Sequence, residues 1–219
     1  MEITIFNIFA IIAQVCMVVL AITIHEYSHA LAAYKLGDDT AKRMGRLTLN
    51  PIKHLDILGA LMLLIVRIGW AKPVPINPYN FKSMKKDIAL TAAAGPASNF
   101  CIAIFAAMFY NFSFNTMGSL DGSSFFVTLV LFALRFLVMI NIALGLFNLI
   151  PIPPLDGSKI VGGFMPDEMY FKWASFERKG AYVLFALFGI SYFLRIPILQ
   201  VIIIPPLNFL TTMLIGTTF

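Results

Sequence analysis

His25, Glu26 and His29 fall in the run His25-Glu26-Tyr27-Ser28-His29, an H-E-x-x-H spacing. On a helix, residues i and i+4 stand one above the other on a single face, so both imidazoles can reach one metal ion. Imidazole is a good zinc ligand, and a glutamate beside the pair is placed to act as general base toward water. The chemistry on offer is zinc-assisted hydrolysis. Its setting is unusual, because Glu26 is the only charged side chain between Glu2 and Lys35. Ionisable groups are costly in hydrocarbon and tend to mark functional sites there. The bland alternative is a set of polar groups that only hydrogen-bond one another inside a helical bundle.

Two histidines leave zinc under-coordinated, since a catalytic site takes a third protein ligand and keeps one position open. Asp156 is the best candidate. It ends the run Asn148-Leu149-Ile150-Pro151-Ile152-Pro153-Pro154-Leu155-Asp156-Gly157, where three prolines in four residues forbid helix. Such backbone is tolerated at membrane depth only if it is buried in protein or lines a wet cavity. Equally, Asp156 would serve as N-cap of a helix starting near Ser158. His54 has two readings, a hydrogen bond to substrate or a developing oxyanion, or a structural bond to Asp56 or a loop carbonyl. Asn99 is read as a structural group near the zinc helices. Arg135, in the middle of an apolar stretch, marks either a wet cavity or a buried partner.

The elements that must hold these residues are membrane helices. Hydrophobic residues make up 59% of the chain and charged ones 12%, a balance that excludes a soluble domain and points to an all-α polytopic membrane protein. The first stretch, 3–36, is a long helix stopped at Gly37, and without a basic leader or cleavage site it is expected to remain in place. Residues 87–112 and 125–150 are two further spans, and the Gly95-Pro96 pair inside the second predicts a kink and close helix contact. Residues 46–50 alternate like a short β-strand ended by Pro51, and 57–70 have the length of a re-entrant segment. The expectation is a helical bundle with a short membrane-associated strand and re-entrant region between the first two spans. Residues 72–78, rich in proline, must be extended. Residues 158–179 are charged and interfacial, and 180–194 and 198–219 are two more apolar segments. Cys16 and Cys101 are expected to be packed thiols.

Charge sets the orientation. Thirteen of the sixteen lysines and arginines lie between the first two spans or just after the third. The positive-inside rule makes that side cytoplasmic and the N-terminus external. The active-site end of the first helix then opens toward the cytoplasm. The net charge of +5 is thereby explained by topology, with no nucleic-acid partner.

The HEYSH run, the Ala94-Gly95-Pro96-Ala97-Ser98-Asn99 helix motif and the N-x-x-P-x-P-x-L-D-G run, in this order, resemble the site-2 protease family of intramembrane zinc metalloproteases. The resemblance covers residues 3–165. It implies that His25, His29 and Asp156 bind one zinc ion and that Glu26 activates water. It implies for Asn148 a part in substrate binding or oxyanion stabilisation. Many relatives add a PDZ or CBS domain; the chain resembles a minimal core, residues 1–165, followed by a C-terminal interfacial segment and further helices, 166–219. The expected function is endoproteolysis within or near transmembrane segments of other proteins, in a prokaryotic plasma membrane. A non-catalytic zinc-containing scaffold or chaperone for such segments is the rival reading, and a metal transporter a third, disfavoured because the ionisable residues converge on one site.

Overall fold

The computed structural model describes residues 2–59, 70–117, 124–195 and 197–216. Four helices among them are long and apolar enough to cross a membrane: Ile5–Lys35, Met84–Thr116, Phe125–Asn148 and Ile198–Ile215. They belong to α1 (Glu2–Lys35), α3 (Met84–Met117), α4 (Phe125–Asn148) and α7 (Ile198–Ile215). The short α2 (Thr40–Arg43) follows α1, and α5 (Asp156–Phe164) and α6 (Asp167–Leu194) lie between α4 and α7.

Helix α1 stops where the sequence says it should. Gly37 takes φ +112°, and the Asp38 N–H folds back to the Ala33 carbonyl at 2.9 Å. That closure needs a residue free of a Cβ. Helix α3 packs on both α1 and α4 and forms the centre of the bundle. Its Ala103, Ala106, Ala107 and Tyr110 stack at helical spacing against Val138 and Ile142 of α4 and Ile215 of α7. Three alanines there let the backbones approach closely, which is how helices associate where lipid is as apolar as leucine. The outward faces carry exposed Ile8, Ile12 and Val15 on α1 and Phe105, Phe109 and Phe112 on α3. Apolar faces of that extent suit a lipid surround.

Two expectations are corrected. Cys16 and Cys101 are free but exposed on the outer helix faces, not packed inside. Residues 46–50 form no β-strand. Their polar side chains take over the backbone: Thr48 Oγ1 accepts the Asn50 N–H at 3.2 Å, and Asn50 Oδ1 accepts the Ile52 N–H at 3.1 Å, starting a 3-10 turn at Pro51–Lys53. Local bonds of this kind compete with a sheet ladder, and no neighbouring strand among the described residues offers one. Strand-like pairing among the described residues is a single antiparallel bridge, Leu55 with Ala71. The expected re-entrant segment falls mostly on 60–69, outside the described residues, and the described ones give it no support. Residues 72–77 are extended as expected and end in a second Asn-Pro turn, Pro78–Asn80, with Asn77 as its cap.

Candidate metal centre and its cavity

His25 and His29 project from one face of α1 with their Nε2 atoms 3.0 Å apart. Asp156 Oδ2 is 3.2 Å from each of them. All three side chains are buried, and their ligand atoms lie within 4.8 Å of one another. Asp156 arrives from the far end of α4 through the proline run. It is the first residue of α5, whose N-cap is Leu155, and its carboxylate is turned to the histidines. Gly157 allows the chain to return so tightly, since a Cβ there would sit 2.2 Å from the Leu149 carbonyl oxygen. Trp173 of α6 braces the turn by donating its indole N–H to the Ser158 carbonyl at 2.9 Å.

The protonation of the two rings decides what the cluster is for. His29 Nδ1 is 2.7 Å from the Thr91 carbonyl, and His25 Nδ1 is 2.6 Å from Asn99 Oδ1. Both partners are acceptors, so both Nδ1 atoms carry hydrogen. In neutral rings both Nε2 atoms are then lone pairs, facing each other and a carboxylate. Asp156 Oδ2 is buried with no hydrogen-bond partner. Three inward lone pairs with no hydrogen among them repel unless a cation sits between them. Two imidazoles and a carboxylate, with room left on one side, are the donor set of a catalytic zinc site. Helix α3 comes close enough to supply Thr91 and Asn99 because of Gly95, where a Cβ would lie 2.4 Å from His29 Nε2.

Glu26, Asn148 and the His25, His29 and Asp156 cluster share one cavity of about 660 Å³. Its lining includes Pro73, Val74 and Ile76 of the extended strap and the aromatic Tyr170, Phe171 and Trp173. The Val74 N–H donates to Glu26 Oε2 at 3.2 Å. The strap is tied down at both ends. Arg46 donates to the Lys72 carbonyl, and the Lys72 N–H donates to the His54 carbonyl at 2.9 Å. At the other end Asp38, fully buried, accepts from the Asn77 N–H at 2.7 Å and the Asn80 amide at 2.8 Å. Burial pushes the Asp38 carboxyl up, but bonds from Thr40, Asn77 and Asn80 outweigh it and hold it below the usual carboxylate range. His54 is fully buried, with Nε2 2.7 Å from the Thr48 carbonyl, and it is not among the residues lining the cavity. Of its two readings, the loop-carbonyl bond is the one present. Asn148 lines the cavity and donates one amide hydrogen to the Leu144 carbonyl at 3.0 Å.

Residues 13–190 match the family profile described as peptidase family M50. The chain belongs to that family. It is 40% identical to "Putative zinc metalloprotease YwhC" of Bacillus subtilis over 80% of its own length and 78% of that protein's. It is 28% identical to "Putative zinc metalloprotease Rip2" of Mycolicibacterium smegmatis over 63% of its length, which spans 51% of that protein. No solved structure gives a significant match. This M50 peptidase is a metalloprotease with zinc as its cofactor, and the two-histidine, one-aspartate set suits that ion.

Several groups around the site escape a sequence reading. The Val74 amide and Thr91 carbonyl are backbone and leave no trace in residue type. Trp173 is separated from the motif by α5. Asn141 did leave a signal: an amide in the apolar third span, seven residues before Asn148 and so on the same helix face. It donates to the Leu137 carbonyl at 2.9 Å and accepts from the Asn99 amide at 2.9 Å.

Proposed function

We propose that this M50 peptidase is an endopeptidase that cuts other proteins within or near their transmembrane segments. The observation that carries the proposal is the placement of Glu26. It stands beside the zinc donor set, facing the same apolar-walled cavity, nine residues before the end of α1 at Lys35 and hence about 14 Å inward along the helix. Zinc bound there supplies the Lewis acidity that activates water and polarises a scissile carbonyl. Glu26 takes the water proton and hands it to the leaving amine. Asn148 spends one amide hydrogen on Leu144 and has a second to offer a substrate carbonyl or oxyanion. A transmembrane substrate hides its carbonyls in helical hydrogen bonds and must unwind before it is cut. The extended strap 72–77, with its braces in 46–54, governs access and receives the unwound segment.

The same proposal covers the surroundings. The chain sits in a prokaryotic plasma membrane with its N-terminus external, and the cavity draws water from the cytoplasmic side, where the basic loops lie. Residues 1–165 form the proteolytic core and 166–219 its C-terminal addition. The deciding experiment compares wild type with Glu26→Gln on a model transmembrane substrate in detergent, with zinc per chain measured in both. The variant should keep its zinc and lose at least ~10²–10⁴-fold in rate. Near-normal cleavage would overturn the role of Glu26, and absence of cleavage in both would favour a zinc-containing scaffold.

A further inference from the structure

We propose that Asn141, which touches neither the ligand atoms nor the cavity, determines which nitrogen of His25 is free to bind metal. The chain of contacts is Leu137 carbonyl, Asn141, Asn99, His25, running from α4 across α3 to α1. The carbonyl of Leu137 can only accept. Asn141 therefore turns its Nδ2 toward it, at 2.9 Å, and its Oδ1 toward α3. That oxygen in turn can only accept, so Asn99 presents Nδ2 to it, also at 2.9 Å. Asn99 is left with Oδ1 facing His25 Nδ1 at 2.6 Å. The ring must carry its hydrogen on Nδ1, and Nε2 is left as a lone pair aimed at His29 and Asp156.

Asn99 and Asn141 are both fully buried, so no water is at hand to satisfy a turned amide. Flipping Asn99 alone would set its Oδ1 against Asn141 Oδ1, oxygen to oxygen, and its NH2 group against His25 Nδ1. Flipping both would place Asn141 Oδ1 against the Leu137 carbonyl and an NH2 group against His25 Nδ1. The ring would then carry its hydrogen on Nε2, where the metal must bind. His29 needs no such relay, because its Nδ1 meets the Thr91 carbonyl directly at 2.7 Å. Each imidazole is thus set by a backbone carbonyl, one at first hand and one through two amides. Partners of this kind fix tautomer and ring orientation in metal sites.

The inference rests on the zinc reading of the site, and zinc content of the wild-type chain, measured alongside, separates the failure of one from the failure of the other. The test is apparent zinc affinity, by competition with a chelator, on the full chain in detergent. Asn141→Leu should lower affinity by roughly 10–100-fold. Asn99→Asp offers an acceptor in either orientation and needs no instruction from Asn141. Adding Asn141→Leu to Asn99→Asp should therefore change affinity little. An unchanged affinity in Asn141→Leu overturns the proposal. So does an equal fall in both backgrounds, which would make Asn141 a packing residue only. If Asn141→Leu does not fold, nitrogen NMR of histidine-labelled wild type stripped of zinc decides: His25 should show a protonated Nδ1 and an unprotonated Nε2, and the reverse tautomer overturns it.

Discussion

At the scale of single residues, the centre depends on what is absent as much as on what is present. Gly95 is the clearest case, since a methyl there would lie 2.4 Å from His29 Nε2 and 2.6 Å from His25 Cε1. Neither ring can retreat without leaving its Nδ1 partner. Gly95→Ala should reduce bound zinc by about tenfold, comparable to losing an orienting partner, while the helix, which favours alanine over glycine, still forms. Zinc per purified chain and circular dichroism would check the two halves of that statement. His25→Ala, His29→Ala and Asp156→Ala should each lower zinc occupancy as well, and a retained stoichiometry in Asp156→Ala would remove it from the ligand set. The histidines and Glu26 were legible because their spacing and apolar setting are jointly improbable without a function. Asp156 was legible as a ligand or a cap; α5 begins at Asp156 with Leu155 as its N-cap, and the position of the carboxylate beside both histidines comes from the fold. Asn141 was missed because a lone amide in a span has many uses.

At the scale of elements, the segment between α1 and α3 is where the sequence misled. Alternating Leu47 and Leu49 suggested a strand, but alternation says nothing about a partner to pair with, and Thr48 and Asn50 turned the chain instead. The strap 72–77 was legible from its prolines, though its contact with Glu26 was not. Asp38 is its anchor, and acceptance of four hydrogen bonds makes its ionised form favoured in the folded state. Asp38→Ala leaves several donors without a partner and should cost on the order of 1–3 kcal/mol. The folded pKa lies below the unfolded value of about 3.9, so this stabilisation is present above pH ~4 and fades as pH falls through the folded pKa. The melting temperature of Asp38→Ala should therefore lie below that of wild type at pH 7, with a gap that closes on acidification below pH ~4. A gap that stays constant with pH would assign the loss to packing.

At the scale of the whole molecule, α1 supplies the two histidines of the candidate zinc set, α5 the aspartate, and α3 the Thr91 carbonyl and Asn99 amide that meet the two rings. Zinc bound to that set would join elements that are remote in the sequence and would favour the folded arrangement. Removing it with a chelator should lower the melting temperature, since a ligand present at 1,000 times its Kd stabilises by about 4 kcal/mol. Without a cation, Asp156 Oδ2 would be a buried oxygen with no hydrogen-bond donor. Asp156→Ala should abolish the zinc dependence of melting, and a variant that kept it would place the ion elsewhere. The placement of Asp156 beyond the third long apolar helix has a bearing on biosynthesis. A ribosome delivers α1, with His25, Glu26 and His29, long before it delivers the carboxylate. A nascent chain that holds only its first two spans has a base and two imidazoles but an incomplete donor set. If Asp156 completes the zinc set as proposed, hydrolytic capacity would be withheld until the proline run has been synthesised and folded back.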